Sequence, residues 1–209
     1  MTKKSSQRKE RRSSPGSSKK SERKRTVKEK LSPEQVTDLT KLRSFLGIKP
    51  DAWDYIIIGD GSGSTWERAM GWGAVLISSS SMERVDFIGG TSHGTNNKAE
   101  LMSAFEPLSY LAGTDAGVPN GCRVHYIGDS QYLVNGLNVQ DATWAASCKA
   151  NRELWIATHA TKRRGLVIRA HHIPREINTL SHDMANAGRK VIMRLLPRFR
   201  HRIDEFMPN

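Results

Sequence analysis

The order of the predicted elements is typical of an α/β protein with a mixed five-stranded sheet flanked by helices. Three apolar runs separated by short Gly- and Ser-rich breaks predict three strands joined by turns, which is typical of antiparallel pairing. Two further predicted strands alternate with helical segments, and strand–helix–strand crossovers place strands in parallel. A Lys- and Arg-rich segment precedes all of these elements. The sequence therefore predicts one α/β domain behind a basic N-terminal tail.

The tail, residues 1–30, carries most of the excess positive charge. It holds 13 of the 33 lysines and arginines and three of the 21 acidic residues, so its net charge is +10 out of +12 for the chain. It has no aromatic residue and only Val27 as a β-branched aliphatic one, so it cannot bury enough apolar surface to fold. We predict a disordered arm that attracts nucleic acid through phosphate contacts. A nuclear import signal and a merely solvated tail are the alternatives.

Composition excludes several classes of protein. Cys122 and Cys148 are the two cysteines of the chain, too few for a disulfide framework or a four-cysteine zinc site. No apolar stretch reaches the roughly 20 residues that cross a bilayer, and the N-terminus lacks the apolar core of a signal peptide. We expect a monomeric intracellular protein, in the cytoplasm or nucleus, that is neither secreted nor membrane-bound.

A short amphipathic helix and a linker are predicted for residues 31–50. Ser32 is a suitable N-cap, Pro33 suits the first helical position, and Gln35 completes a capping box. Val36, Leu39, Leu42 and Leu46 follow at helical spacing, and Gly47 is a plausible end. The helix is expected to pack on the main domain, and docking on a partner alone is the alternative.

The main domain is predicted to span residues 51–196, followed by a basic C-terminal extension at 197–209. Its pattern has apolar runs of strand length and helical apolar stripes. Strands are predicted at 55–58, 73–77, 84–88, 123–127 and 166–170, and helices at 96–112, 130–137, 143–161 and 180–196.

Four acidic residues stand where strands end or in helices that follow them: Asp60, Glu100, Asp129 and Asp183. Ligands of α/β sheets gather at the carboxyl ends of parallel strands, and Asp129 lies at such an end. If the strands ending at Asp60 and Asp129 are neighbours, their carboxylates converge, and such a cluster repels unless a cation is present. Oxygen ligands suit Mg²⁺. The pattern favours magnesium-dependent phosphodiester chemistry, although each acid alone could be an ordinary surface group.

Four motifs surround these acids and resemble those of the type 1 ribonucleases H over most of residues 54–188. They are Gly-Asp-Gly-Ser at 59–62 with Gly-Trp-Gly-Ala-Val-Leu at 71–76, Thr-Asn-Asn-Lys-Ala-Glu-Leu-Met-Ser-Ala at 95–104, Asp-Ser-Gln-Tyr-Leu-Val-Asn-Gly at 129–136, and His-Ile-Pro-Arg-Glu-Ile-Asn at 172–178 with Asp-Met-Ala-Asn at 183–186. The second and third motifs are long and specific. The resemblance implies a ribonuclease H-like fold.

The resemblance also implies a metal-dependent endonuclease that hydrolyses the RNA strand of RNA/DNA hybrids and leaves 5′-phosphates. Asp60, Glu100, Asp129 and Asp183 would bind two Mg²⁺ ions, with Mn²⁺ as the alternative, because a metal pair stabilises both the attacking and the leaving oxygen at phosphorus. His172 would be the catalytic histidine, and the neighbouring His171 is the other candidate.

Recognition of the hybrid is implied for five further residues. A protein detects the RNA strand by its 2′-hydroxyls in the shallow minor groove, using short polar side chains. By resemblance, Asn96, Asn97 and Gln131 would contact this groove, and Thr95 and Lys98 would hold a phosphate of the DNA strand. The two asparagines also suit a turn and helix cap.

The sequence departs from the family pattern in two places. One extra residue lies between Asn178 and Asp183. The basic, Trp-bearing handle found in many members is short here, at residues 139–152, and we hypothesise that the N-terminal arm and the basic C-terminal end replace it. Helical spacing favours core packing over base stacking for Trp144 and Trp155.

Two other functions fit a chain of this pattern. One is a non-catalytic module that binds hybrids and keeps the fold, because fold does not guarantee function. The other is a DNA nuclease or integrase on a related scaffold. Related exonucleases open with Asp-x-Glu, whereas Asp60 is followed here by Gly61 and Ser62.

Overall fold

A computed structural model of the chain describes residues 28–64, 69–113, 118–141 and 143–206, and the predictions for residues 1–27 lie outside them. Twelve elements follow one another along these residues. They are β1 (Lys28–Lys30), α1 (Pro33–Phe45), β2 (Tyr55–Ser64), β3 (Ala69–Ser78), β4 (Glu83–Thr91), α2 (Asn96–Ala112), β5 (Cys122–Gly128), α3 (Gln131–Asn138), α4 (Trp144–Ser147), α5 (Arg152–Arg163), β6 (Leu166–His172) and α6 (Thr179–Phe206).

The strands form one mixed sheet in the order β1-β4-β3-β2-β5-β6. Strands β2, β3 and β4 are antiparallel neighbours, as expected of strands joined by short turns. Strand β5 pairs in parallel with β2, and β6 in parallel with β5. The predicted α/β class and mixed sheet are confirmed. Because β5 lies beside β2, the ends of these two strands meet at one edge of the sheet.

Strand β1 is a sixth strand that the sequence pattern did not predict. Lys28, Glu29 and Lys30 belong to the predicted disordered tail, yet they pair antiparallel with β4. The backbone of β4 offers free hydrogen-bonding groups at the sheet edge, and pairing requires no apolar side chain. The Glu29 carboxylate lies 3.7 Å from the Arg84 guanidinium on β4. The prediction of disorder is therefore wrong for these three residues.

Helices cover the two faces of the sheet, with a hydrophobic cluster on each. On β5, Val124 and Tyr126 belong to the cluster that packs against α2, α3 and α5, whereas Ile127 faces the cluster under α1 and α6. This alternation follows from the two-residue period of a strand. Both faces of the central strands are buried, which makes the carboxyl ends of these strands a rigid platform.

Helix α1 begins as predicted and packs on the domain. Ser32 Oγ accepts a hydrogen bond from the Gln35 N–H, and the Gln35 side chain accepts one from the Ser32 N–H, which completes the capping box. Leu39 is buried against the sheet cluster that includes Ile56 and Val75. The expected packing of this helix on the main domain is confirmed.

The single helix predicted at 143–161 is instead two helices, α4 and α5. Cys148 is extended, and Asn151 adopts a left-handed conformation with φ of 54°, which ends helical hydrogen bonding between them. Trp155 is fully buried, and its indole Nε1 donates to the Tyr132 hydroxyl over 2.6 Å. The predicted packing role of both tryptophans is confirmed, because Trp155 belongs to the buried cluster and the partly buried Trp144 packs against it.

Helix α6 is longer than the predicted helix at 180–196, because it continues from Thr179 to Phe206 and so includes most of the expected C-terminal extension. Within the described ranges, no helix is both long enough and apolar enough to span a bilayer.

Candidate active site

Three of the four predicted carboxylates converge at the end of the central strands. Ile58 of β2 pairs with Ile127 of β5, so Asp60 and Asp129, each two residues further on, reach the same level of the sheet. Glu100 joins them from the first turns of α2. One carboxylate oxygen from each of the three residues lies within 4.8 Å of the others. The predicted convergence of Asp60, Glu100 and Asp129 is thus present in the structure.

Gly61 brings α2 close enough for Glu100 to join the cluster. A Cβ atom at Gly61 would lie 2.2 Å from the Glu100 backbone nitrogen, so any larger residue would push the helix away. The Gly61 N–H donates to Asp60 Oδ1 over 2.7 Å and to Glu100 Oε2 over 3.0 Å. A single backbone donor therefore holds two of the carboxylates together.

Burial and mutual repulsion make the cluster strongly unfavourable as three separate anions. Asp60 is 2% exposed and Glu100 is 5% exposed. Burial, and next the charges of Asp60 and Asp129, raise the pKa of Glu100 to about 9. Burial and the Asp129 charge also raise the pKa of Asp60. A divalent cation would remove both penalties, and the all-oxygen donor set fits Mg²⁺ or Mn²⁺.

Asn178 positions the third carboxylate and was not singled out by sequence reasoning. Its Nδ2 group donates to Asp129 Oδ1 over 3.0 Å and to the Gly59 carbonyl over 3.1 Å, and Ser181 contacts its Oδ1. The side chain is 2% exposed. A buried amide with several hydrogen-bond partners holds the neighbouring groups in fixed positions. The available sequence signal was the place of Asn178 in the fourth motif.

The two adjacent histidines lie on opposite sides of β6. His172 is exposed beside the cluster, with Nε2 3.1 Å from the Asp129 carbonyl oxygen. His171 stacks on His125, with His171 Nε2 2.7 Å from His125 Nδ1. Burial lowers the pKa of both His125 and His171. Of the two candidates, His172 is therefore the one that contacts the backbone of Asp129.

The structure does not bring Asp183 into the carboxylate cluster. Among the described residues the metal-type group contains Asp60, Glu100 and Asp129, and the Asp183 side chain is exposed. Its neighbour His182 points inward instead, with Nδ1 2.7 Å from Asp60 Oδ2. The sequence analysis did not predict a role for His182. The extra residue between Asn178 and Asp183 was the available signal, because it shifts Asp183 by one position along the helix.

The residues predicted to contact nucleic acid lie at the starts of α2 and α3, and one of them contacts the cluster. Thr95 caps α2, since its Oγ1 accepts from the Lys98 N–H over 3.3 Å. Asn96 Nδ2 donates to Glu100 Oε1 over 3.3 Å, which links this segment directly to the carboxylates. Asn97 and Gln131 are exposed, and Gln131 Nε2 donates to Asn135 over 2.6 Å.

The sheet order and the carboxylate cluster define the class of the protein, an α/β fold of the ribonuclease H type with clustered acidic side chains at the ends of its central strands. The RNase H family model matches residues 53–182, which contain β2 to β6 and the three clustered acids. The chain belongs to the RNase H family.

Relatives and solved structures agree with this assignment. Ribonuclease H of Pseudomonas fluorescens strain Pf0-1 is 31% identical over 130 residues, which is 56% of this chain and 78% of that protein. The N-terminal RNase H domain of Rv2228c from Mycobacterium tuberculosis matches with a TM-score of 0.53 and 17% identity over 68% of this chain and 97% of that one. LC11-RNase H1 in complex with an RNA/DNA hybrid matches with a TM-score of 0.51 and 21% identity over 65% and 96%. These two structures show the shared fold.

Proposed function

We propose that this chain is a ribonuclease H, an endonuclease that hydrolyses the RNA strand of RNA/DNA hybrids. The single observation that carries the proposal is the buried cluster of Asp60, Glu100 and Asp129 within the segment that matches the family. A binding module without catalysis has no need of three mutually repelling carboxylates at one point, because such a cluster costs stability unless a cation is held.

We assign the cation to these three carboxylates and expect two Mg²⁺ ions, with Mn²⁺ as the alternative. When bound, such ions lower the pKa of a coordinated water and offset charge on the leaving oxygen. The chain holds the ligands ready for this role through the Gly61 N–H on two carboxylates and the Asn178 amide on the third. Preorganised ligands need no rearrangement during the reaction.

We assign a proton-transfer role to His172 at the rim of the centre. Its imidazole is exposed and lies beside Asp129, so it can meet a substrate that approaches from solvent. The two ring nitrogens of an imidazole allow it to donate or to accept a proton. His171 is held by His125 on the other face of the sheet and takes no part in this assignment.

We assign hybrid recognition to the polar residues that open α2 and α3. Asn96, Asn97 and Gln131 offer amide groups for 2′-hydroxyls in the minor groove, and Lys98 with Thr95 offers a cation and a hydroxyl for a phosphate. The Asn96 contact with Glu100 ties the recognition segment to the cluster. The solved complex of LC11-RNase H1 contains such a hybrid, which supports the same substrate class here.

The basic N-terminal arm is proposed to strengthen hybrid binding. Between α3 and α5 the described residues form only the four-residue helix α4, so a long basic handle is absent from that part of the chain. Lys28 pairs with Val85 and Lys30 with Glu83, so β1 runs antiparallel to β4 and its N-terminal end lies toward Ile88. Ile88 is at the same level of the sheet as Asp60, because both pair with Gly73. The N-terminal end of β1 therefore points toward the edge of the sheet that carries the carboxylates.

Cleavage of end-labelled substrates by the 209-residue chain tests the proposed activity. RNA should be cut in an RNA/DNA hybrid in the presence of Mg²⁺, whereas duplex DNA and duplex RNA should stay intact. Asp129→Asn should abolish cleavage. Asp54→Asn is the matched control, because Asp54 lies at the opposite end of the sheet, paired with Arg123, and this protein should cut normally. If the protein binds the hybrid but does not cleave it in either Mg²⁺ or Mn²⁺, the proposed ribonuclease activity is refuted and a non-catalytic hybrid-binding module is favoured.

A further inference from the structure

The corner of the centre next to Asp60 is formed by α6, which lies directly on β3. Gly73 pairs with Asp60 across the sheet, and a Cβ atom at Gly73 would lie 2.4 Å from the Met184 side chain and 2.7 Å from the Ala185 backbone nitrogen. The absent side chain therefore lets the start of α6 approach the level of Asp60. His182 is four residues beyond Asn178, so a helical turn separates the two residues that contact the cluster.

Hydrogen bonds determine which nitrogen of His182 carries its proton. Asn186 Oδ1 accepts from Ser62 Oγ over 2.7 Å and from an Arg189 N–H group over 3.5 Å. The amide Nδ2 of Asn186 thus faces His182 Nε2, 3.0 Å away, and donates to it. His182 Nε2 is the acceptor, and Nδ1 is left to donate to Asp60 Oδ2 over 2.7 Å.

These contacts hold both oxygens of the Asp60 carboxylate. The Gly61 N–H donates to Oδ1 and His182 donates to Oδ2, which fixes the rotation of the carboxylate group. A carboxylate accepts about four hydrogen bonds or metal bonds, so directions for a cation remain on each oxygen. Partners that orient a metal-binding carboxylate commonly change metal affinity by about 10- to 100-fold when they are removed.

We propose that His182, and not Asp183, completes this corner of the centre, as a positioning residue that orients Asp60 for the divalent cation through the chain Ser62–Asn186–His182. This inference rests on the proposed function, since it assigns a cation to Asp60. Neighbouring residues on a helix point about 100° apart, so His182 and Asp183 cannot both face the cluster from the same turn. The exposed side chain of Asp183 is the one that faces away.

Isothermal titration calorimetry of Mn²⁺ binding to the 209-residue protein tests the assignment without requiring cleavage. His182→Ala should weaken Mn²⁺ binding by about 10- to 100-fold. His182→Asn should bind Mn²⁺ more tightly than His182→Ala does, with an affinity closer to that of the wild type, because the Asn side-chain nitrogen takes the place of Nδ1 and can donate to Asp60. Asp183→Asn should bind Mn²⁺ like the wild type, as should Asp38→Asn, which removes an exposed carboxylate on α1. Thermal unfolding of each variant shows that it is folded.

Two results would overturn the assignment. One is a loss of Mn²⁺ affinity in Asp183→Asn that equals or exceeds the loss in His182→Ala. The other is an electron spin echo spectrum of the Mn²⁺-loaded wild type with a directly coordinated nitrogen, which would make His182 a ligand rather than a positioning residue. Failure of the proposed function appears separately, as tight Mn²⁺ binding by a wild-type protein that leaves the hybrid uncut.

Discussion

Replacing Glu100 with glutamine should stabilise the metal-free protein by an amount that grows with pH. Burial and the charges of Asp60 and Asp129 raise the pKa of Glu100 to about 9, against an ordinary value of 4.5. Between these two values the folded protein keeps a proton that the unfolded chain releases. Unfolding therefore releases a proton, and the free energy of unfolding falls as pH rises. Glutamine resembles the protonated carboxyl group and carries no such dependence.

The expected magnitude follows from the linkage between proton binding and stability. One proton released on unfolding lowers the free energy of unfolding by about 1.4 kcal/mol for each pH unit. From pH 5 to pH 8 the wild type should lose about 4 kcal/mol relative to Glu100→Gln. Since Asp60 also has a raised pKa, part of the wild-type slope remains in the variant, and the difference between the two proteins isolates Glu100.

Urea unfolding in EDTA at pH 5, 6, 7 and 8 measures this difference. Glu106→Gln is the control, because Glu106 lies on the same helix and is partly exposed. Saturating Mg²⁺ should reverse the order, since the cation stabilises the ionised cluster of the wild type and releases the Glu100 proton. Parallel pH profiles for the wild type and Glu100→Gln in EDTA would refute a protonated Glu100 in the folded, metal-free protein.

Three further predictions concern the close contact at Gly61, the core and the arm. Gly61→Ala should destabilise the protein by more than about 2 kcal/mol in urea and weaken Mn²⁺ binding, because its Cβ would collide with the Glu100 backbone at 2.2 Å; an unchanged midpoint contradicts this. Trp155→Phe should cost at least about 1 kcal/mol in the same assay, because the partly buried Tyr132 hydroxyl loses its indole donor and keeps only the longer contact from Asn151; an unchanged unfolding midpoint would mean that the hydrogen bond adds nothing to stability. Deleting residues 1–27 should raise the Kd for the hybrid and make that Kd less dependent on salt concentration. The same salt dependence with and without these residues would exclude a contribution of the arm to hybrid binding.

Much of the fold was predictable because it depends on local patterns. The helical period from Val36 to Leu46 and the capping residues Ser32 and Gln35 predicted α1 with nearly its observed bounds. Asp60 and Asp129 were expected to converge because strand ends that are parallel neighbours meet at one edge of the sheet, and the pairing of β2 with β5 confirms it. These features need only short-range sequence and a few rules of chain topology.

Other features depend on contacts between distant segments. Edge pairing made a strand of Lys28–Lys30, although its side chains show no strand pattern. The helix expected at 143–161 is interrupted by the extended Cys148 and the left-handed Asn151, for which the periodicity around Trp155 holds no signal. Helical spacing indicates which residues share a face but not where an interruption falls, because one backbone rotation is enough to end the hydrogen bonds.

The order of apolar runs and turns in the sequence was enough to predict Asp60 and Asp129 at strand ends and Glu100 on a helix beside them, but the same pattern also placed Asp183 with these acids. Only the tertiary structure shows that His182 is the residue of α6 that contacts the cluster and that His172 is the histidine of β6 that lies beside Asp129. A shift of one residue turns a helical side chain by about 100° and moves a strand side chain to the opposite face. In the structure α6 packs closely on Gly73, His182 contacts Asp60, and the Asp183 side chain is exposed.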